Sequence, residues 1–135
     1  MAKTDEVFAP APGSLAGRTV LITGANSGLG LESAARLAAA GADVGATART
    51  DAKAQQAANE IERRTGRKVS GVALDLADLK SVKSLPSRLP KSVSKIDVLM
   101  ENAGVMAIPE RLATKDGFER QIGVNHLGHY ALVAT

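Results

Sequence analysis

Cysteine and tryptophan are absent from this 135-residue chain, and its aromatic side chains amount to two Phe and one Tyr. Without cysteine there is no disulfide framework, no thiolate metal site and no thiol nucleophile. Without aromatic platforms there is little on which nucleic-acid bases could stack, and a net charge of +3 is mild. No nucleic-acid partner is expected. The basic residues are scattered apart from Arg63-Arg64-Thr65-Gly66-Arg67-Lys68, where cations suit the last turn of a helix and its dipole. No apolar run approaches the ~18 residues that would cross a bilayer. The amino terminus carries Asp5 and Glu6 and lacks the apolar stretch of a secretory signal. A soluble, cytoplasmic protein is the expectation.

What remains is a core of Ala, Val, Leu and Ile within a hydrophobic fraction of 44%. Small side chains of this kind suit a parallel sheet covered closely by Ala-rich helices. The length is that of one domain. Residues 1–17, with "APAPGS" and no periodicity, read as a flexible arm. Thr19 to Thr23 reads as a first strand, Leu29 to Ala40 as a helix ended by Gly41, and Asp43 to Ala48 as a second strand. The first helix should bury Leu29, Ala34, Leu37 and Ala38. Thr50 then caps a helix to about Arg64 that Gly66 closes. Val69 to Leu74 reads as strand three, and Asp78 caps a helix that fades at Pro86 and Pro90. Ile96 to Met100 reads as a buried strand four, and a loop through Pro109 leads to a last helix opening at Thr114 and still running at Thr135. The alternation β-α-β-α-β-α-β-α predicts an α/β fold, a Rossmann-type doubly wound parallel sheet of about four strands over residues 18–135.

The run "VLITGANSGLG", Val20 to Gly30, leaves a predicted strand and opens a predicted helix. Amides at a helix start lack intrahelical partners, and the dipole there favours an anion. Glycine lets the backbone turn sharply, lets a phosphate approach without a Cβ, and lets helix and sheet pack closely. Gly24, Asn26, Ser27, Gly28, Leu29 and Gly30 are therefore candidate ligands for a dinucleotide pyrophosphate. At the end of the second strand, where an NAD-preferring domain places a carboxylate for the ribose 2′-OH, this chain has Ala48 followed by Arg49. A guanidinium pairs with a 2′-phosphate, so NADP is expected over NAD.

The spacing G-x-x-x-G-x-G resembles the glycine motif of the short-chain dehydrogenase/reductase family. Asp75-Leu76 is similar to that family's adenine contact, and Asn102-Ala103-Gly104 to its N-A-G segment. "DGFERQIGVNHLGHYAL", Asp116 to Leu132, resembles the branch that contains retinol dehydrogenase-like and protochlorophyllide reductase-like enzymes. These segments cover nearly everything from Leu15 onward in the family's order. One departure is Glu101, where the family usually carries another Asn. The resemblance implies that Asn102 stabilises the sheet and that Asn125 belongs to a catalytic Asn-Ser-Tyr-Lys set, holding a water in a proton relay. The only tyrosine is Tyr130, followed four residues later by Ala134 rather than Lys. The Ser and the Tyr-x-x-x-Lys pair would lie beyond Thr135, so these residues are expected to be the amino-terminal half of the fold and inactive alone. His126 and His129 stand three apart without a third metal ligand, so no metal site is expected.

The implied reaction is hydride transfer between nicotinamide and a carbonyl or alcohol carbon. The apolar Val105-Met106-Ala107-Ile108 loop suggests a small apolar carbonyl or alcohol substrate. The resemblance also implies a homo-oligomer through the last helix. The rival readings are a non-catalytic nucleotide-binding or interaction module, and a gene fragment without function.

Overall fold

The computed structural model of the chain describes residues 9–135. Four parallel strands form one sheet: β1 (Thr19–Ile22), β2 (Asp43–Ala48), β3 (Ser70–Ala73) and β4 (Val98–Met100). Their spatial order is β3-β2-β1-β4. Val20 pairs with Val44 on one side and Val98 on the other. Helices α1 (Gly28–Ala39), α2 (Asp51–Thr65), α3 (Leu79–Lys83) and α4 (Leu85–Arg88) fill the connections. After β4 come α5 (Arg120–Ile122), a π-helical turn over Gly123–Gly128, and α6 (His129–Val133).

Both faces of the sheet are covered, and β1 shows how the sequence arranges it. Successive side chains of a strand point to opposite faces. Val20 and Ile22 enter one core with Ala34, Ala35, Ala38 and Ile61 of α1 and α2. Leu21 enters a second core with Val72, Val82, Leu85, Val124 and Leu132. This is the doubly wound α/β arrangement that the alternating elements predicted. Alanine dominates the first core because helices set close against a sheet leave no room for longer side chains.

Local chemistry explains where the elements stop. Thr50 Oγ1 accepts from the Lys53 amide at 3.3 Å, opening α2, and Gly66, at φ 69°, closes it. Asp78 Oδ1 accepts from the Lys80 and Ser81 amides, starting α3. The expected fade at proline is a clean break: Pro86 cannot donate, so it sits in the first turn of the separate α4. Among the described residues no helix is long and apolar enough to cross a membrane.

Several sequence expectations differ from the structure: β1, β3 and β4 are each shorter than expected, and β4 is partly exposed, with Val98 50% exposed. The last helix opens at Arg120, not Thr114, because Asp116-Gly117 makes a turn. Gly117 has φ 85°, and Phe118 donates its amide back to Thr114 Oγ1. Glu119 then caps α5, accepting from the Gln121 and Ile122 amides at 2.8 and 3.0 Å. Those two amides hold its carboxyl below the usual range. At its other end the helix stops at Val133 rather than running on to Thr135. Leu29, expected on the buried face of α1, is 80% exposed. Of the stretch expected to be a flexible arm, residues 1–8 lie outside the described residues. Residues 12–17 form turns, with the Leu15 amide donating to Ala40 O at 3.0 Å.

Candidate functional site

The chain runs outward from β1 to β2 and β3, then returns to place β4 on the other side of β1. Such a reversal opens a crevice outside the carboxyl ends of the strands, where open α/β sheets bind ligands. A cavity of about 430 Å³ occupies that position. Every strand contributes to it: Thr23, Gly24, Asn26 and Ser27 follow β1, and Thr47, Ala48 and Arg49 end β2. Leu74 to Ala77 follow β3, and Asn102 to Val105 follow β4. A smaller cavity of about 240 Å³ lies at the opposite strand ends and gathers none of the predicted site residues.

The glycine loop is shaped for close approach. A Cβ on Gly30 would stand 2.3 Å from Gly24 O and 2.5 Å from Asn102 Nδ2, so α1 seats against the loop only because that carbon is missing. Gly28 differs: its φ is +54° and a Cβ there would meet nothing within 4 Å. Its neighbourhood is open space beside the helix start. Ser27, the N-cap of α1, makes no side-chain capping bond. The first-turn amides are thus free of the usual cap and face the end of the helix that favours an anion.

One hydroxyl joins this loop to the rest of the site. Thr23 Oγ1 accepts from the Asn102 and Ala103 amides at 3.0 and 2.9 Å. Those two bonds use both lone pairs, so its proton is directed outward to an acceptor: His129 Nε2 lies 2.9 Å away, nearer than Met100 O at 3.5 Å. His129 therefore accepts at Nε2 and carries its proton on Nδ1, which donates to Asn125 O at 3.2 Å. Asn102 Nδ2 donates to Thr23 O at 3.0 Å and Gly24 O at 3.2 Å. The side chain of Asn102 thus ties the end of β4 to the end of β1.

Asn125 lies in the π-helical turn, a loosened geometry often found at functional sites. Its Oδ1 accepts from the Val105 amide at 2.8 Å and its Nδ2 donates to Val105 O at 2.7 Å. These bonds hold the loop after β4. They leave one Oδ1 lone pair and one Nδ2 proton for further use.

The predicted residues are therefore brought together unevenly. Gly24, Asn26, Ser27, Arg49, Asp75, Leu76, Asn102, Ala103 and Gly104 line the cavity directly. Gly28, Leu29 and Gly30 form the first turn of α1 beside it. Asn125 reaches the cavity lining through Val105. Glu101 is exposed and outside the lining. His129 is 5% exposed whereas His126 is exposed, so the two do not share a face. Sequence reading missed Thr23, Arg120 and Val124 as lining residues and His129 as a partner of Thr23. A buried histidine three residues after an exposed one offers no periodic signal of its partner.

Glycine loop, N-A-G segment and switch-point cavity all agree with what a profile of the short chain dehydrogenase family matches over residues 18–135. The chain belongs to that family. Short-chain dehydrogenases are oxidoreductases that bind NAD(P) nucleotides. This chain is 44% identical to human retinol dehydrogenase 14, covering 90% of this chain and 40% of that protein. It is 40% identical to human retinol dehydrogenase 13, covering 91% of this chain and 37% of that one. The chain thus spans about two fifths of the length of these curated relatives. Among solved structures, an uncharacterized protein from Mycobacterium paratuberculosis superposes with a TM-score of 0.76 and 46% identity, over 93% of this chain and 42% of that one. A citronellol catabolism dehydrogenase of Pseudomonas aeruginosa superposes with a TM-score of 0.77 and 31% identity, over 97% of this chain and 53% of that one.

The residues present fit a nicotinamide dinucleotide. The open space at Gly28 and the uncapped start of α1 suit its pyrophosphate. Asp75 to Ala77 and Val124 form the far wall.

Proposed function

We propose that these residues hold NADP for a short-chain dehydrogenase that interconverts an apolar carbonyl compound and its alcohol. The observation that carries the cofactor preference is the end of β2. Ala48 is buried and offers no carboxylate, while Arg49 is exposed, lines the cavity and makes no ion pair among the described residues. A free guanidinium beside the ribose position suits a 2′-phosphate, which an acidic residue there would repel.

When bound, the nicotinamide supplies or accepts the hydride. This chain's residues bind and orient it. The first-turn amides of α1 take the pyrophosphate. Asn102 and Thr23 hold the glycine loop against β4, and Asn125 holds Val105 at the edge of the cavity. The apolar substrate is supported by the Val105-Met106-Ala107-Ile108 loop, where Met106 is 83% exposed, and by relatives named as retinol dehydrogenases. The proton-transferring Tyr-x-x-x-Lys pair is not among these residues: Tyr130 is 71% exposed and is followed at its fourth position by Ala134. By themselves these residues bind cofactor without turnover.

The test is fluorescence titration with NADPH and NADH, alongside turnover of a panel of apolar aldehydes. Tighter binding of NADPH, its inversion by Arg49→Asp, and no turnover are expected. Equal NADPH affinity before and after Arg49→Asp refutes the assignment of Arg49. Turnover by the 135-residue chain refutes the claim that proton transfer needs residues outside it.

A further inference from the structure

The open edge of the sheet carries a charge pattern that the cofactor site does not use. β4 pairs with β1 on one side, and among the described residues no strand pairs with it on the other. Val98 is half exposed and Ile96, just before the strand, is 39% exposed, whereas Val20, Leu21 and Ile22 of the neighbouring β1 are buried. Natural sheets guard such an edge with a charge, a proline or a covering element. Val98–Met100 contains neither charge nor proline, while at the other edge strand Arg88 donates to the last carbonyl of β3, Ala73 O. The charges of β4 flank it instead. Lys95 precedes the strand, Glu101 follows it, and both are exposed. Glu101 is the residue that departs from the family's usual Asn, and it lies outside the cavity lining.

An open strand edge pairs with a strand of another chain, and a second copy closes the assembly when the two edges run antiparallel about a twofold axis. Directly facing residues of such a pair point to the same side, so the axis passes through a residue. The ladder with β1 begins at Asp97, whose amide donates to Thr19 O at 2.9 Å, and ends at Met100. Four registers are therefore open, and the side chains discriminate between them. An axis through Asp97 sets that carboxylate against its own copy, and one through Leu99 sets it against Glu101; like charges directly opposite are destabilising. An axis through Met100 sets Val98 against Asn102, whose amide is already turned back to Met100 O. An axis through Val98 sets Ile96 against Met100 and Lys95 against Glu101, the latter pair twice. Backbone groups alternate along a strand, so with the Asp97 amide spent on β1 those of Val98 face the open edge.

We propose that the β4 edge is a self-association site, at which two copies of this chain pair antiparallel with Val98 on the axis and each Glu101 meets the Lys95 of the second copy. Within one chain these two residues stand at opposite ends of an extended segment, about 20 Å apart. Their charges couple only between copies.

Sedimentation velocity over a concentration series of the full 135-residue chain tests it, and wild type should show a reversible monomer–dimer equilibrium. Lys95→Glu and Glu101→Lys each set like charges opposite one another twice, and each should raise the dimer dissociation constant about tenfold. An equimolar mixture of the two variants should dimerise as tightly as wild type, because every contact between them again opposes an ammonium and a carboxylate. Circular dichroism checks that each variant is folded. If Lys95→Glu is not, Val98→Cys reads the register instead: in a chain without cysteine it should oxidise to a covalent dimer where Leu99→Cys does not. A chain that stays monomeric, or that grows into species larger than a dimer, overturns the proposal. A mixture no tighter than its components, or a covalent dimer formed through Leu99→Cys, overturns the register. A dimer that both charge variants leave intact and Tyr130→Asp abolishes overturns it in favour of the exposed side of the last helix. Association is read without cofactor, so its outcome bears on this edge and not on the nucleotide reading.

Discussion

Substituting Gly30 by alanine separates close packing from ligand access in the glycine loop. The new Cβ would lie 2.3 Å from Gly24 O and 2.5 Å from Asn102 Nδ2. Neither neighbour is the free end of a flexible chain. The first is backbone, and the second is held by bonds to Thr23 O and Gly24 O. Overpacking of this kind costs about 1–3 kcal/mol, and weakening the two Asn102 bonds adds roughly 1 kcal/mol. Helix propensity returns at most about 1 kcal/mol in a helix interior and less in a first turn. The net is about 2–3 kcal/mol. At a urea slope of roughly 2 kcal/mol/M for a chain of this size, the midpoint should fall by about 1–1.5 M. Gly66→Ala provides the comparison, since its φ of +69° is strained but a Cβ there meets nothing within 4 Å. That strain alone is worth about 1–2 kcal/mol. Gly28→Ala carries similar strain, also in open space, so its midpoint should resemble that of Gly66→Ala. Only Gly28→Ala should also lose dinucleotide affinity in an NADPH titration, because its Cβ occupies the path of the phosphate. A Gly30→Ala midpoint at or above that of Gly66→Ala would refute the packing argument. Equal NADPH affinity for Gly28→Ala and Gly66→Ala would refute the cradle.

Asp97, just before β4, ties that edge strand to β1 by accepting from the Thr19 amide at 2.8 Å, and the Lys95 ammonium followed by that amide lowers its pKa from 3.8 to about 2. A depressed carboxylate stabilises the fold above its unfolded pKa, and that stability is lost as pH falls from about 4 toward 2. Urea midpoints should therefore drop further on acidification in the wild type than in Asp97→Asn; parallel profiles would contradict this. Thr23→Val keeps the shape but strands the Asn102 and Ala103 amides and His129, costing about 2–4 kcal/mol. It should be less stable than Thr23→Ser, which keeps the hydroxyl, and the reverse order of thermal midpoints would rule out the hub role. Asn125→Leu removes both side-chain bonds to Val105, so hydrogen exchange of the Val105 amide should accelerate while that of Leu21 does not. Unchanged protection at Val105 would show that Asn125 does not hold the loop.

The local features were the most legible. Asp43–Ala48 forms a strand over the residues expected, and Thr50, Gly66 and Asp78 cap as their chemistry suggests. Each of these depends on contacts within a few residues. The opening of the last helix was misread because its apolar spacing continues through Thr114 to Phe118, while Asp116-Gly117 turns the chain there. The π-helical turn also has no pattern of its own in Gly123–Gly128. Arg120 is one of the scattered basic residues in the sequence, and only the surrounding fold sets it on a cavity wall.

Residue order alone settled that this chain alternates short strands with helices, and that a glycine loop opens the first helix. Period-2 and period-3.6 patterning and local capping suffice for that. It also carried the family resemblance through motifs in their proper order. It did not foresee that β4, expected to be buried, leaves Val98 50% exposed at the sheet edge. Tertiary structure decided that β4 lies beside β1, which creates the crevice where those motifs meet. It decided, too, that His129 completes the hydrogen bonding of Thr23 from 106 residues away. A buried donor must find its acceptor wherever the folded chain brings one, and no periodicity along the sequence records which distant residue that is.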